Sequence, residues 1–136
     1  MVMKVSLVNG PSNNLTWKEL ACRDGHGYPQ QYVLDGRVYR LAQVFENIRK
    51  LCGDVPIKIH SAYRTAEYNS KVGGVGNSQH IQGMALDLEH TTLPNTRFFN
   101  LISHNWQALG VRGLGHYKTF VHIDIRDSST LVPWSK

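Results

Sequence analysis

The chain has 136 residues and a formal net charge of +5, with 41% apolar and 18% charged residues. These values predict one globular domain over residues 1–136 that can bury a core, and we expect a monomer. No apolar run approaches the length of a membrane span. The sequence has no basic cluster of the kind that follows a phosphate backbone, which argues against a nucleic-acid partner. Cys22 and Cys52 lack a metal-type spacing and are predicted to be free thiols.

The N-terminal third of the chain predicts a strand, a short helix and a loop. Residues 2–8 are rich in β-forming side chains and predict a strand. Thr16 and Glu19 have the spacing of a capping box, so a short helix should begin near Thr16. Residues 24–29 contain two glycines and a proline, which predict a loop.

The strongest helical pattern covers residues 36–51, and Gly53 fits a stop just beyond it. Its apolar residues at helical spacing are Val38, Leu41, Ala42, Phe45 and Ile48. Residues 56–60 predict a short strand, and Thr65 should cap a short helix that ends near Val72. The glycine-rich residues 73–77 lack the Gly-Lys-Ser/Thr ending of a phosphate-binding loop, which excludes that kind of nucleotide site.

A histidine and an aspartate flank a predicted turn and strand in residues 78–87. Apolar and polar residues alternate from residue 84 to residue 89, so Asp87 lies on the polar face of this strand. Gly83 lets the backbone pass close to the group that His80 and Asp87 share. A neutral imidazole and an ionised carboxylate are suitable ligands for zinc.

A second strand is predicted over residues 120–126, after a helix that has Pro94 in its first turn and ends at Gly110. One face of the strand is apolar, and the other carries three ionisable residues: His122, Asp124 and Arg126. Such residues are costly to bury without a partner. A metal ion between this strand and residues 78–87 would supply one, with His122 as its third ligand. Two histidines, one carboxylate and an open fourth position are typical of catalytic zinc.

These motifs resemble those of the M15-type zinc D-alanyl-D-alanine peptidases and their relatives among phage endolysins. Residues 78–87 match the family pattern Ser-x-His-x-x-Gly-x-Ala-x-Asp. Residues 113–117 and 120–124 match Gly-x-Gly-x-Tyr followed by Phe-Val-His-x-Asp. Residues 61–64 resemble the signature Ser-x-Tyr-Arg, and residues 15–22 resemble the N-terminal segment of the carboxypeptidase-like branch. The resemblance implies a hedgehog/DD-peptidase-like α+β fold, in which a small antiparallel sheet carries the zinc site on one face and helices on the other.

The resemblance also implies roles for individual side chains. The zinc cofactor would be bound by His80, Asp87 and His122. Arg64 matches the family arginine that holds a substrate carboxylate or stabilises an oxyanion, with a surface salt bridge as the alternative. Ser78 would position His80 or the substrate, and Tyr117 would donate to an oxyanion or serve packing alone.

The general base is the point at which this chain departs from the family. Several branches have an acidic residue three positions before the last histidine ligand, but here that position is Thr119. Asp124 is the first candidate in its place, and the alternative is that Asp124 orients His122 or pairs with Arg126. The other candidates are His116, which is otherwise a turn residue, and Glu89, which lies far along its strand.

The implied function is hydrolysis of peptidoglycan stem peptides by a zinc metallopeptidase, and the N-terminal segment favours D-alanyl-D-alanine carboxypeptidase activity. The alternatives are an L-alanyl-D-glutamate or cross-link endopeptidase of a phage endolysin, or a non-catalytic, zinc-containing wall-binding module, which Thr119 favours. Residues 1–14 lack the apolar core of a signal peptide. We therefore expect synthesis in the cytoplasm and delivery to the wall by a phage lysis pathway, a virion or a missing leader. The positive charge would either concentrate the protein on anionic wall polymers or serve solubility alone.

Overall fold

Five strands form one sheet in the computed structural model, which describes residues 9–136. In chain order the strands are β1 (Ile57–Ser61), β2 (Ala85–His90), β3 (Gly113–His116), β4 (Val121–Asp124) and β5 (Val132–Ser135). Their order across the sheet is β1-β2-β4-β3-β5. All neighbours are antiparallel except β3 and β5, which are parallel. The α+β class is therefore confirmed, with the correction that one edge of the predicted antiparallel sheet is a parallel pair.

Helices precede and connect these strands in the described range. They are α1 (Trp17–Leu20), α2 (Gln30–Leu34), α3 (Arg37–Leu51), α4 (Ala66–Lys71), α5 (Asn95–His104) and α6 (Trp106–Leu109). The predicted capping box is present, because Thr16 accepts a hydrogen bond from the Glu19 amide while the Glu19 side chain accepts one from the Thr16 amide. Thr65 caps α4 as predicted. Helix α3 ends before Gly53, whose φ of 104° suits glycine.

Helix α2 and strands β3 and β5 were not predicted. Other predictions need a correction or fall outside the described range. The helix predicted between Pro94 and Gly110 is divided at Asn105, whose side-chain amide donates to the Leu101 carbonyl and whose backbone N–H donates to Ile102. Because these bonds satisfy the last carbonyls of α5, the chain restarts as α6. The strand predicted over residues 2–8 lies outside the described residues.

The core lies between the sheet and α3. Leu41, Phe45 and Ile48 of this helix are at most 1% exposed and belong to one apolar cluster with Leu86 of β2 and Ile123 of β4. Burial of this face stabilises the sheet, and it leaves the other face for the polar residues of β2 and β4. Within residues 9–136, no helix has both the length and the apolar character that a membrane crossing requires.

Candidate metal centre

The three predicted ligands meet on the face of the sheet opposite α3. Asp87 and His122 are directly paired across β2 and β4, whereas His80 comes from the turn before β2. Asp87 Oδ1 lies 3.1 Å from His80 Nε2 and 3.0 Å from His122 Nδ1. The candidate ligand atoms all lie within 4.8 Å of one another, and all three side chains are buried. The structure thus brings together two imidazole nitrogens and one carboxylate oxygen, a donor set that fits zinc.

The second nitrogen of each imidazole has its own partner. His80 Nδ1 donates to the carbonyl oxygen of Ala62 at 2.6 Å. His122 Nε2 donates to Asp124 Oδ2 at 2.8 Å. In the structure the other nitrogen of each ring lies within hydrogen-bond distance of Asp87 Oδ1. With its proton held at the outer partner, each ring would turn the lone pair of that nitrogen toward a metal ion bound at the shared position.

The electrostatics of the cluster follow from burial and from the shared carboxylate. Burial lowers the pKa of His80 below its usual value and outweighs the attraction of Asp87. Burial also acts to lower the pKa of His122, but hydrogen bonds to Asp124 and Asp87 outweigh it and raise the pKa. Burial would raise the pKa of Asp87, yet the hydrogen bonds from His122 and His80 hold that pKa well below its usual range. Asp87 is therefore ionised, as a metal ligand must be.

The turn that carries His80 is held by side chains from α2 and α3 that the sequence reasoning did not identify. The hydroxyl of Tyr32 donates to the Ile81 carbonyl at 3.1 Å, and Arg37 Nη1 donates to the Gln82 carbonyl at 2.8 Å. Gly83 has a φ of +67°, and a Cβ atom there would lie 2.5 Å from the Tyr32 ring. Only glycine fits this contact, which explains the glycine between the two ligands.

Asp124 lies behind His122 and away from the cleft. Its side chain is fully buried, and it accepts hydrogen bonds from Arg126 Nε at 2.8 Å and Nη2 at 2.7 Å besides the one from His122. Burial raises the pKa of Asp124, but the bonds from Arg126 and His122 outweigh it and lower the pKa to about 2. The contacts with His122 and Arg126 are the two that we gave as the alternative to a general-base role for Asp124. The general-base hypothesis would require access to the cleft, and the described residues that line the cleft do not include Asp124.

The other candidate bases also lie apart from the metal ligands. The His116 ring stacks on Phe99 with centroids 4.5 Å apart, and its Nε2 atom lies 3.4 Å from the Thr96 hydroxyl. Glu89 accepts a hydrogen bond of 2.6 Å from His60, which sits where the register of β1 shifts. Neither His116 nor Glu89 is among the described residues that line the cleft, and Thr119 is exposed on the turn between β3 and β4.

The ligands lie in a cleft of about 450 Å³ that is also lined by Arg64, Ser78 and Tyr117. The Arg64 guanidinium donates from Nε to Ser61 Oγ at 3.1 Å and from Nη1 to Asn69 Oδ1 at 3.1 Å. Its Nη2 atom lies 3.5 Å from Asp87 Oδ2. Arg64 is thus fixed inside the cleft, which differs from the surface salt bridge considered as its alternative. Ser78 Oγ accepts a hydrogen bond of 3.1 Å from the His80 amide and so stabilises the His80 turn.

The C-terminal strand β5 contributes to the cleft, a role that was not predicted for it. Trp134 of β5 packs with its ring centroid 5.0 Å from that of His122, and its Nε1 donates to the Tyr117 hydroxyl at 3.1 Å. Trp134 and Lys136 both line the cleft. No local sequence pattern predicts this placement, because β5 reaches the site only through its parallel pairing with β3.

Comparison with known proteins gives a family match over most of the chain. Residues 13–124 match the model of the family described as Peptidase M15. A segment of 41 residues is 44% identical to a protein of Streptomyces albus G that is named zinc D-Ala-D-Ala carboxypeptidase. This match covers 30% of the present chain and only 16% of the length of that relative.

Proposed function

The chain belongs to the Peptidase M15 family, and we propose that it is a zinc peptidase that hydrolyses the stem peptides of peptidoglycan, with D-alanyl-D-alanine carboxypeptidase activity. The observation that carries this proposal is the convergence of His80, Asp87 and His122 at the base of the cleft, with ligand atoms within 4.8 Å of one another. The name of the carboxypeptidase from Streptomyces albus G supports the choice of metal and of bond. The proposed site of action is the cell wall.

Zinc bound by these three residues would act as a Lewis acid toward the scissile carbonyl and would make water nucleophilic at neutral pH. The protein supplies the orientation. Asp124 holds the proton of His122 Nε2 and keeps Nδ1 toward the metal position. Ala62 does the same for His80 through its backbone carbonyl.

Two cleft residues have the chemistry to bind the peptide. Arg64 would hold the terminal carboxylate of the substrate, because its guanidinium is already fixed by Ser61 and Asn69 and loses little freedom on binding. The Tyr117 hydroxyl accepts a hydrogen bond from Trp134, so its own proton is free to be donated to the carbonyl oxygen as negative charge develops.

A specific observation favours a second candidate function, a non-catalytic zinc-containing wall-binding module. Among the described residues that line the cleft, Asp87 has the only acidic side chain, and it is already committed to the metal site. The usual acidic position is Thr119, which is exposed. A protein with zinc and a peptide cleft but no proton acceptor would bind stem peptides without cutting them.

Mass spectrometry of peptidoglycan fragments incubated with zinc-loaded protein separates these functions. Release of D-alanine by the native protein, and not by a His80→Ala variant, is the result expected for a carboxypeptidase. Cuts inside the stem peptide would replace it with an endopeptidase, as in the endolysin branch. Intact fragments in the presence of one bound zinc per chain would favour the binding module.

A further inference from the structure

A second groove, of about 560 Å³, adjoins the cleft and has Arg126 as a shared wall. It lies between α3, the residue before β2 and the segment after β4. Three arginines from distant parts of the chain line it: Arg40 of α3, Arg112 before β3 and Arg126 after β4. Asp127 is the one carboxylate among its described lining residues. The fold therefore brings together three positive charges that are separate in the sequence, where Arg112 and Arg126 are the closest pair.

Arg112 and Arg126 are held in place by contacts, and of the three arginines only Arg126 has a carboxylate partner among residues 9–136. Arg112 Nη1 donates to the Val111 carbonyl at 3.1 Å, and its guanidinium lies 5.2 Å from the centroid of the Trp106 ring. Neither Arg40 nor Arg112 forms an ion pair with any residue in the range 9–136, whereas Arg126 pairs with Asp124. An arginine that is held by a carbonyl and an aromatic ring keeps free N–H groups to offer an anion.

We propose that this groove binds the phosphate groups of an anionic polyol-phosphate polymer. A phosphodiester shares one negative charge between two non-bridging oxygens, which the paired N–H groups of a guanidinium can bind, and several guanidiniums around one groove suit the successive phosphates of a polymer. Val44, Met84 and Ile125 add an apolar wall to the groove. A short carbon chain between successive phosphates would pack against this wall.

The composition of the groove also distinguishes this polymer from nucleic acid. Sites for single-stranded nucleic acids combine basic residues with exposed aromatic rings on which bases stack. The described residues that line this groove include no aromatic side chain. A polymer held here would run past Arg126 beside the cleft, so it would keep the cleft close to the wall. The binding does not depend on peptide hydrolysis.

The test is the affinity of the purified chain of residues 1–136 for poly(glycerol phosphate), with polyglutamate and single-stranded DNA of equal charge as the other probes. The groove variant is the double substitution Arg40→Gln and Arg112→Gln. The matched control is Lys50→Gln and Arg97→Gln, which removes the same charge from two exposed positions elsewhere. We expect the dissociation constant for poly(glycerol phosphate) to rise at least about tenfold in the groove variant and less than about threefold in the control.

Equal losses in the two double variants would overturn the proposal, because net charge alone would then explain binding. Native protein that binds polyglutamate or DNA as tightly as poly(glycerol phosphate) would also overturn it. If the double variant does not fold, Arg40→Glu at its exposed helix position provides the same comparison against Lys50→Glu. Hydrolysis of soluble stem peptides should be the same in the groove variant and the native chain. A native chain that binds the polymer as expected but cuts no peptide would refute the proposed peptidase activity and would still support the proposed polymer binding.

Discussion

His122 and Asp124 leave β4 on the same face, and their side chains are joined by a hydrogen bond of 2.8 Å. This bond directs the other ring nitrogen of His122 toward Asp87, at 3.0 Å. Arg126 holds the Asp124 carboxylate with two nitrogens from the opposite side. A series of charged contacts from Arg126 to Asp87 therefore fixes the ring before any metal binds, which lowers the entropic cost of forming the site.

The first prediction separates the two roles of Asp124. The Asp124→Asn substitution removes the charge that stabilises the His122 proton, so we expect zinc affinity to fall about 10–100-fold. Competition with a chelator of known affinity measures this change. Asp127→Asn is the matched control, because it changes the exposed acidic residue nearby. Unchanged zinc affinity together with lost hydrolysis would show that Asp124 is the general base instead.

The second prediction concerns the guanidinium group of Arg64. Arg64→Lys keeps the positive charge but loses the planar donors that contact Ser61 and Asn69. We expect kcat/KM for a peptide ending in D-Ala-D-Ala to fall at least about tenfold. The same peptide with its terminal carboxylate amidated should be a poor substrate for both proteins and should show little further loss. Equal losses on the two peptides would exclude recognition of the carboxylate by Arg64.

The third prediction measures the core between α3 and the sheet. Phe45 is 1% exposed, so Phe45→Ala should lower the free energy of unfolding by about 3–5 kcal/mol. Tyr39 lies on the same helix and is 45% exposed, so Tyr39→Ala should cost less than about 1 kcal/mol. Urea denaturation of metal-free protein gives both values. A loss of less than about 1 kcal/mol for Phe45→Ala would show that this side chain is not central to the core.

Local pattern was sufficient to predict the elements whose residues carry their own periodicity. Helix α3 follows from a helical apolar stripe, and β2 follows from strict alternation that places Asp87 opposite Leu86. The three candidate ligands were also predicted. His80 and Asp87 followed from the turn and strand that carry them, His122 from the ionisable face of an otherwise apolar strand, and all three from the family motifs. The structure brings those residues together as the sequence led us to expect.

The features that were missed depend on contacts between distant parts of the chain. Strand β3 contains Gly113 and Gly115, which have no side chains to show an alternating pattern. Both positions require glycine because a Cβ atom at Gly113 would clash with the Asp124 carboxylate, and one at Gly115 would lie 2.6 Å from the Trp134 ring. The arginine groove was missed for a similar reason, since Arg40 and Arg112 are far apart in sequence.

The fourth prediction tests the packing of β5 on the site. Gly115→Ala would push the Trp134 ring away from His122, because the new methyl group has no space. We expect the free energy of unfolding to fall by about 1–3 kcal/mol through overpacking. Gly76→Ala is the matched control, since nothing lies within 4 Å of a Cβ atom at that position. Equal stability of the two variants would mean that β5 does not pack on the sheet as described.

The last prediction uses the pH dependence of a buried thiol. Cys52 is free and 5% exposed, and burial raises the pKa of its thiol from 9.0 to about 11. The thiolate is the reactive form, so alkylation of the native protein by iodoacetamide should be slow at about pH 8 and should accelerate toward the raised pKa. The folded state retains the thiol proton more strongly than the unfolded state. The contribution of Cys52 to stability is therefore present below about pH 9 and is lost as the pH rises toward 11.

Mass spectrometry after proteolysis follows the alkylation of Cys52 by iodoacetamide, and a Cys52→Ser variant confirms the assignment. Rapid modification of Cys52 in the native protein at about pH 8 would contradict its burial at the C-terminal end of α3.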